Sequence, residues 1–175
     1  VHKNNTLFCL NFGHLAHQKE RPFHVLFTAL GAGWKLNDTI TWTKTQYSPI
    51  QGKRRLNNLT EFIFLLYKGN MPELDRLSIG VPYTDKSNIG RYSDKDLKCR
   101  GNNWVVGYET IQSKNKKLHN DRFPLDIPKM CIKLSGLKDG TILEPYAGSG
   151  TTVIAAKQLG FNAIGFEKNE IYKEV

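Results

Sequence analysis

The stretch Thr141-Ile-Leu-Glu-Pro-Tyr-Ala-Gly-Ser-Gly-Thr-Thr-Val-Ile-Ala-Ala-Lys-Gln-Leu-Gly-Phe-Asn-Ala-Ile-Gly-Phe-Glu167 decides the fold. Thr141 to Glu144 reads as a short strand, Pro145 to Gly150 as a glycine-containing turn, and Thr151 to Leu159 as a small-residue helix stopped by Gly160. Asn162 to Phe166 reads as a second strand. Strand, turn, helix and strand in 27 residues form a parallel β-α-β unit. Its glycine turn lies where such sheets bind nucleotides, because glycine lets a ligand approach the backbone closely. Glu167 follows Gly148 by 19 residues, at the expected carboxyl end of the second strand. A carboxylate at that distance is placed to accept hydrogen bonds from ribose hydroxyls.

Absent residues narrow the nucleoside. A dinucleotide fingerprint wants a small residue where Val153 stands, and a phosphate-binding loop wants Lys where Thr151 stands. A cofactor that keeps adenosine and ribose without a pyrophosphate fits better, and S-adenosylmethionine is the common one.

Outward from this unit the chain is organised as one α/β domain of 175 residues. Thr6 to Asn11 reads as a strand covered on both faces, and Lys19 to Leu30 as a helix presenting Phe23, Leu26, Phe27 and Leu30. Asp38–Lys44 and Glu61–Lys68 are strands, the second with a buried centre. Asn103–Tyr108 is a short strand whose Trp104 and Tyr108 read as core residues, with exposed stacking rings as the alternative, and Leu125–Leu134 is a helix. The span 69–118 shows no sustained period.

The net charge of +9 is unevenly spread. Residues 1–40 carry +2, 41–100 carry +5, 101–120 carry +2, and 121–175 balance to zero. A basic middle segment suits a polyanionic partner. Three cysteines without a C-x-x-C pair suggest neither a disulfide framework nor a zinc site, and Cys9 and Cys131 read as small buried residues. His14 and His17 read as surface residues. With no apolar run of membrane-spanning length and no leader-like start, the expected address is cytoplasmic.

The motif Leu143-Glu-Pro-Tyr-Ala-Gly-Ser-Gly-Thr-Thr152, followed by Ile164-Gly-Phe-Glu167, resembles the cofactor motif of the DNA amino-methyltransferases, which methylate adenine N6 or cytosine N4. His119-Asn-Asp-Arg-Phe-Pro124 resembles the other cofactor motif of the permuted β subclass, and Thr41-Trp-Thr-Lys44 and Thr60-Glu61 resemble its sheet motifs. The resemblance implies a Rossmann-like methyltransferase fold: a mixed, mostly parallel sheet, helices on both faces, and an irregular target-recognition insertion. Residues 1–68 and 119–175 would form the catalytic and cofactor domain, and 69–118 the target-recognition region. Tyr146, Gly148, Ser149 and Gly150 would line the methionine and ribose part of S-adenosylmethionine, Glu144 would lie near its ammonium group, and Glu167 would hold the ribose. Asp121, Phe123, Pro124, Pro145, Ala147, Thr151, Thr152 and Lys168 would complete the site. Lys44, Lys53, Arg54 and Arg55 would meet double-stranded DNA.

One family feature is not found. The catalytic loop, a polar residue followed by Pro-Pro and an aromatic, is matched neither by Tyr47-Ser-Pro-Ile50 nor by Gly80-Val-Pro-Tyr83, each with a single proline. In the permuted subclass that loop belongs upstream of residue 1, on a central strand whose absence would separate the two halves of the sheet. A partial chain is therefore expected, and none of its residues is assigned as catalytic. The implied activity is methyl transfer to adenine N6 by base flipping, with cytosine N4 as the alternative. A restriction endonuclease would be a functional partner, and a second copy or a complementing chain a physical one. A reading of another class is a non-catalytic DNA-binding module that keeps the nucleoside pocket.

Overall fold

The computed structural model describes residues 6–14, 17–46, 54–91, 93–107 and 123–172. It divides into two compact units, Val1–Gly107 and Tyr108–Val175.

The first unit is built on a four-stranded sheet of order β1-β3-β2-β4, formed by β1 (Thr6–Gly13), β2 (Lys35–Thr43), β3 (Thr60–Lys68) and β4 (Asn103–Val105). β3 runs antiparallel to both β1 and β2, and β4 joins β2 in parallel. β3 is central, and Ile63, Phe64, Leu65 and Leu66 are each no more than 1% exposed. The run Glu61-Phe-Ile-Phe-Leu-Leu-Tyr-Lys68 is continuously apolar at its centre because both faces are covered there.

Burial on both faces was expected of β1 as well. Instead every residue of β1 is half-buried, since among the described residues it pairs with β3 alone and lies at the sheet edge. β2 begins at Lys35 rather than Asp38, because a register shift between Leu36 and Asp38 lets the pairing continue past the irregular residue.

α1 (Arg21–Gly31) carries Pro22 in its first turn, where the missing N–H costs nothing. Leu26 packs with Phe64 and Leu66, flanked by Phe8, Leu10, Ala29, Leu30, Trp34 and Phe62. Phe27, expected on the inner face, is 65% exposed. The helical period places it beside the stripe of Leu26, Ala29 and Leu30 rather than on it. Trp42 and Trp104 face each other in register and are fully buried, and the Trp42 indole donates to the Val106 carbonyl at 2.9 Å. Trp104 is thus a core residue; Tyr108 lies outside the described residues.

His14 departs from its expected surface position. It is half-buried, with its ring edge-on to Phe62 at 5.1 Å, whereas His17 is exposed. Cys9 and Cys131 are half-buried and Cys99 is exposed. No described helix is long and apolar enough to cross a membrane.

The second unit holds α2 (Asp126–Leu134), β5 (Thr141–Glu144), α3 (Thr151–Gln158) and β6 (Asn162–Gly165). β5 and β6 pair in parallel from Thr141↔Asn162 to Glu144↔Gly165. Ala155 and Ala156 of α3 are fully buried against Ile132 of α2, with Ile142 and Ala163 of the two strands beside them. Two consecutive alanines let the helix axis come close to the sheet, so this crossover needs no bulky core.

Candidate functional site

The site is the turn between β5 and α3 together with the end of β6. The strand pairing runs on beyond the strands: Phe166 N–H donates to the Glu144 carbonyl at 2.9 Å, and Ala147 N–H to the Phe166 carbonyl at 2.8 Å. The turn is therefore held against the carboxyl end of β6. Gly148 (φ 50°) and Gly150 (φ 80°) adopt left-handed backbone, which suits glycine, and a Cβ at either would meet nothing within 4 Å. The backbone at these two positions is open to an approaching ligand.

Two carboxylates fix this turn. Glu167 accepts from Gly148 N–H and from Asn169 N–H, both at 2.8 Å. Hydrogen bonds from Asn169 and Gly148 to its charged form hold the Glu167 carboxyl below the usual glutamate value. Glu144 accepts from Tyr146 N–H at 3.0 Å through one oxygen and from the Thr152 hydroxyl at 2.9 Å through the other. Each glutamate thus takes the N–H two residues ahead, a local pattern that keeps the chain turned. Each also takes one donor from across the turn.

A recess of about 600 Å³ lies beside the turn, lined by Pro145, Tyr146, Phe166, Glu167, Lys168, Asn169 and Tyr172. Its volume is within the range of small-ligand sites. Tyr146 is 89% exposed, so it is not the core aromatic that its apolar neighbours allow. Phe166, Asn169 and Tyr172 were not among the expected site residues. The signal for Asn169 was available: the residue two after an acidic strand end supplies the N–H that orients the carboxylate.

The remaining expected residues separate. Pro145, Ala147, Ser149, Gly150 and Thr151 form the turn and the start of α3, and Lys168 stands beside Glu167. Half-buried Phe123 and buried Pro124 lead into α2, where the Pro124 carbonyl accepts from Ile127 N–H. Asp121 lies outside the described residues. Of the basic residues expected to meet DNA, Lys53 also lies outside, and Arg54 and Arg55 are exposed. Lys44 is placed differently from these arginines. Its side chain is 13% exposed, ion-paired with Glu61 at 2.5 Å and set 5.3 Å from the Trp42 ring. Gly13, opposite Glu61 in the ladder, makes room for that carboxylate, since a Cβ there would sit 3.1 Å from it. The Lys44 charge is engaged in this structural pair, unlike the exposed Arg54 and Arg55.

Val153 occupies the place where dinucleotide folds keep a small residue for close helix–strand packing. In this chain the small residue is on the strand. A Cβ at Gly165 would sit 2.9 Å from Ala147 Cβ and 3.0 Å from Val153 Cγ2.

A parallel β-α-β crossover with an open glycine turn, and a backbone-oriented carboxylate at the end of the second strand, defines a nucleoside-binding α/β protein. The donor set fits a nucleoside without a pyrophosphate: acceptors for ribose hydroxyls, apolar and aromatic walls, and no lysine in the turn. The whole chain, residues 1–175, matches the family model of the N6/N4 DNA methylases, and it belongs to that family. The Type II methyltransferase M.SmaI of Serratia marcescens is 30% identical over 151 residues, which is 86% of this chain and 48% of that protein. M1.MboII of Moraxella bovis is 27% identical and matches 86% of this chain and 66% of its own length. The chain thus spans about half the length of M.SmaI and two thirds of M1.MboII.

Among solved structures, PvuII DNA methyltransferase (cytosine-N4-specific) superposes with a TM-score of 0.75 at 18% identity, over 95% of this chain and 60% of its own. M1.HpyAVI in complex with S-adenosylmethionine does so with a TM-score of 0.61 at 22% identity, over 95% and 71%. The fold is the Rossmann-like fold of S-adenosylmethionine-dependent methyltransferases.

Proposed function

We propose that this protein is the cofactor-binding and DNA-facing part of a DNA methyltransferase, one that uses S-adenosylmethionine to methylate an exocyclic amino group of a base in duplex DNA. The observation that carries this reading is the carboxylate of Glu167, tied to Gly148 N–H of the open glycine turn on one side and to Asn169 N–H on the other. That arrangement offers oriented acceptors to a ribose beside backbone that a ligand can approach. When bound, S-adenosylmethionine supplies a methyl group on a sulfonium centre as the electrophile. The chain's own part is to bind and orient. Glu167 accepts from the ribose hydroxyls, Gly148 and Gly150 allow close approach, and Tyr146, Phe166 and Tyr172 wall the recess. Asp121, Phe123, Pro124 and Lys168 are assigned to the same pocket, and residues 1–68 and 119–175 to the catalytic and cofactor domain.

Adenine N6 is the first target in this reading and cytosine N4 the second, the latter in line with the cytosine-N4-specific PvuII enzyme that shares the fold. Arg54 and Arg55 would contribute phosphate affinity, and the basic, irregular span 69–118 would recognise the target sequence. The Type II naming of the relatives supports a restriction endonuclease as functional partner, and a second copy or a complementing chain is the remaining partner in this reading.

Isothermal titration with S-adenosylmethionine, beside a Glu167→Ala variant and an NAD control, tests the pocket. Binding that is lost in the variant and not seen with NAD is the expected result. No binding by folded protein, or equal binding of NAD, would overturn the reading. Mass spectrometry of nucleosides from DNA treated with the enzyme at its full natural length then reads N6-methyladenine against N4-methylcytosine. Salt-sensitive DNA binding with neither product would favour a non-catalytic module.

A further inference from the structure

Between β2 and β3 the chain leaves the sheet at the end where β1, β2 and β4 all finish, since β1 and β2 both run opposite to β3 and β4 runs with β2. The carboxyl ends of strands are where α/β sheets receive their ligands. Residues 45–60 of this connection include Lys53, Arg54 and Arg55 and no carboxylate, a composition suited to a polyanion. Within this polar, basic stretch stands Leu56, 88% exposed and next to the exposed Arg54 and Arg55. A lone surface leucine is ordinary in itself. This one stands on an anchored base. Two residues on, the Asn58 side-chain amide donates to the His14 carbonyl at 3.2 Å, and its oxygen accepts from the Lys19 ammonium at 3.3 Å, which ties the connection to the segment between β1 and α1. Lys44 N–H donates to the Leu59 carbonyl at 2.7 Å and closes the stem of the loop.

We propose that Leu56 is the side chain this protein inserts into the base stack of duplex DNA, in the place of the base turned out for methylation, a role that rests on the methyltransferase reading above and deepens it. A base amino group inside a duplex is out of reach of a methyl donor until its nucleotide is extruded, and extrusion leaves a gap whose two faces have lost their stacking partner. An apolar side chain entering that gap restores contact with both faces. Arg54 and Arg55 suit the phosphates, whereas Leu56 carries no charge to desolvate and suits the stack. A wedge also needs a backing that does not yield, and Asn58 together with the Lys44–Leu59 hydrogen bond supplies it.

The recognition site is first read from the modified bases of plasmid DNA treated with the enzyme at its full natural length. A fluorescent analogue then replaces the target base, 2-aminopurine for adenine or pyrrolocytosine for cytosine, and its brightening on extrusion is followed at saturating protein, where every duplex is bound. Leu56→Ala should lower the extrusion equilibrium about ten-fold, the scale of a leucine side chain withdrawn from water, with Leu56→Met close to wild type. A pyrene nucleotide opposite the target fills the gap without help from the protein, so on that DNA Leu56→Ala should brighten as wild type does. S-Adenosylmethionine affinity should be unchanged in both variants. Full brightening by Leu56→Ala on ordinary DNA would overturn the proposal, and so would a loss that pyrene does not repair or one accompanied by an equal loss of cofactor affinity. A wild type that methylates its site but never brightens would overturn it too. A wild type that yields no methylated base would instead refute the methyltransferase reading, and this role with it.

Discussion

Gly165→Ala is the sharpest test of how the turn, helix and strand fit together. The backbone at 165 is ordinary strand, so alanine brings no conformational strain and its effect is steric alone. The new methyl would lie 2.9 Å from Ala147 Cβ and 3.0 Å from Val153 Cγ2, about 1 Å inside a comfortable carbon–carbon contact. The first clash is with a Cβ fixed to the turn backbone, which no rotamer change relieves. Ala147 N–H is also bonded to the Phe166 carbonyl, so moving the turn away strains a 2.8 Å hydrogen bond. Overpacking by one methyl costs about 1–3 kcal/mol in a well-fitted site. For a chain of this size that corresponds to a melting shift of roughly 2–4 °C per kcal/mol.

Urea unfolding of Gly165→Ala, Ala147→Gly and the double variant forms the assay. The single Gly165 variant should lose about 1–3 kcal/mol, and the double variant should recover part of the loss. Ligand affinity should fall with stability, because the displaced turn carries Gly148. A Gly165→Ala protein within about 0.5 kcal/mol of wild type would refute the packing argument, since surface changes commonly fall in that range.

Glu167 gives a pH dependence of known sign. Its folded-state pKa is lowered below the usual 4.5 by the Asn169 and Gly148 amides, so its hold on the turn is fully present above 4.5 and is lost as pH falls through the lowered value. Nucleoside affinity should therefore persist through weakly acidic pH, decline only below 4.5, and lose that step in Glu167→Gln; a decline centred above 4.5 would count against it. Lys44→Ala should destabilise the fold by about 3 kcal/mol, the low end for breaking a buried pair, because it strands the sheltered Glu61 carboxylate, with the Lys44→Ala/Glu61→Ala double variant milder. In DNA binding measured against salt, the two arginines should act differently from Lys44: Arg54→Ala and Arg55→Ala should each lower the salt slope by about one, while Lys44→Ala leaves it unchanged. A reduced slope in Lys44→Ala would restore the phosphate contact.

Much of the second unit was legible because its signals are local. β5 has the boundaries that its sequence predicts, and the glycines, the two-alanine helix and Glu167 all encode their roles within 27 residues. Turn glycines, helix stops and the i to i+2 hydrogen bonds of Glu144 and Glu167 depend on neighbours in the chain, so one sequence suffices to read them. The family could be recognised for the same reason.

What tertiary structure decided is where long-range packing chooses among locally equal alternatives. A run such as Thr6 to Asn11 reads the same at the centre of a sheet as at its edge, and it is the pairing with β3 alone, among the described residues, that makes β1 an edge. Phe27 and Leu26 have like hydropathy, and the angle at which α1 meets Phe64 and Leu66 buries one and exposes the other. Lys44 looks like any basic residue until Glu61, 17 positions away, is brought to 2.5 Å from it. Tyr146, as an aromatic beside apolar neighbours, has a core alternative to its lining role until the turn leaves it exposed. Spacing along the chain fixed the chemistry of the nucleoside turn. Which charges and rings are left for a ligand was settled by contacts between residues far apart in sequence, where burial decides whether a side chain is used up inside the fold.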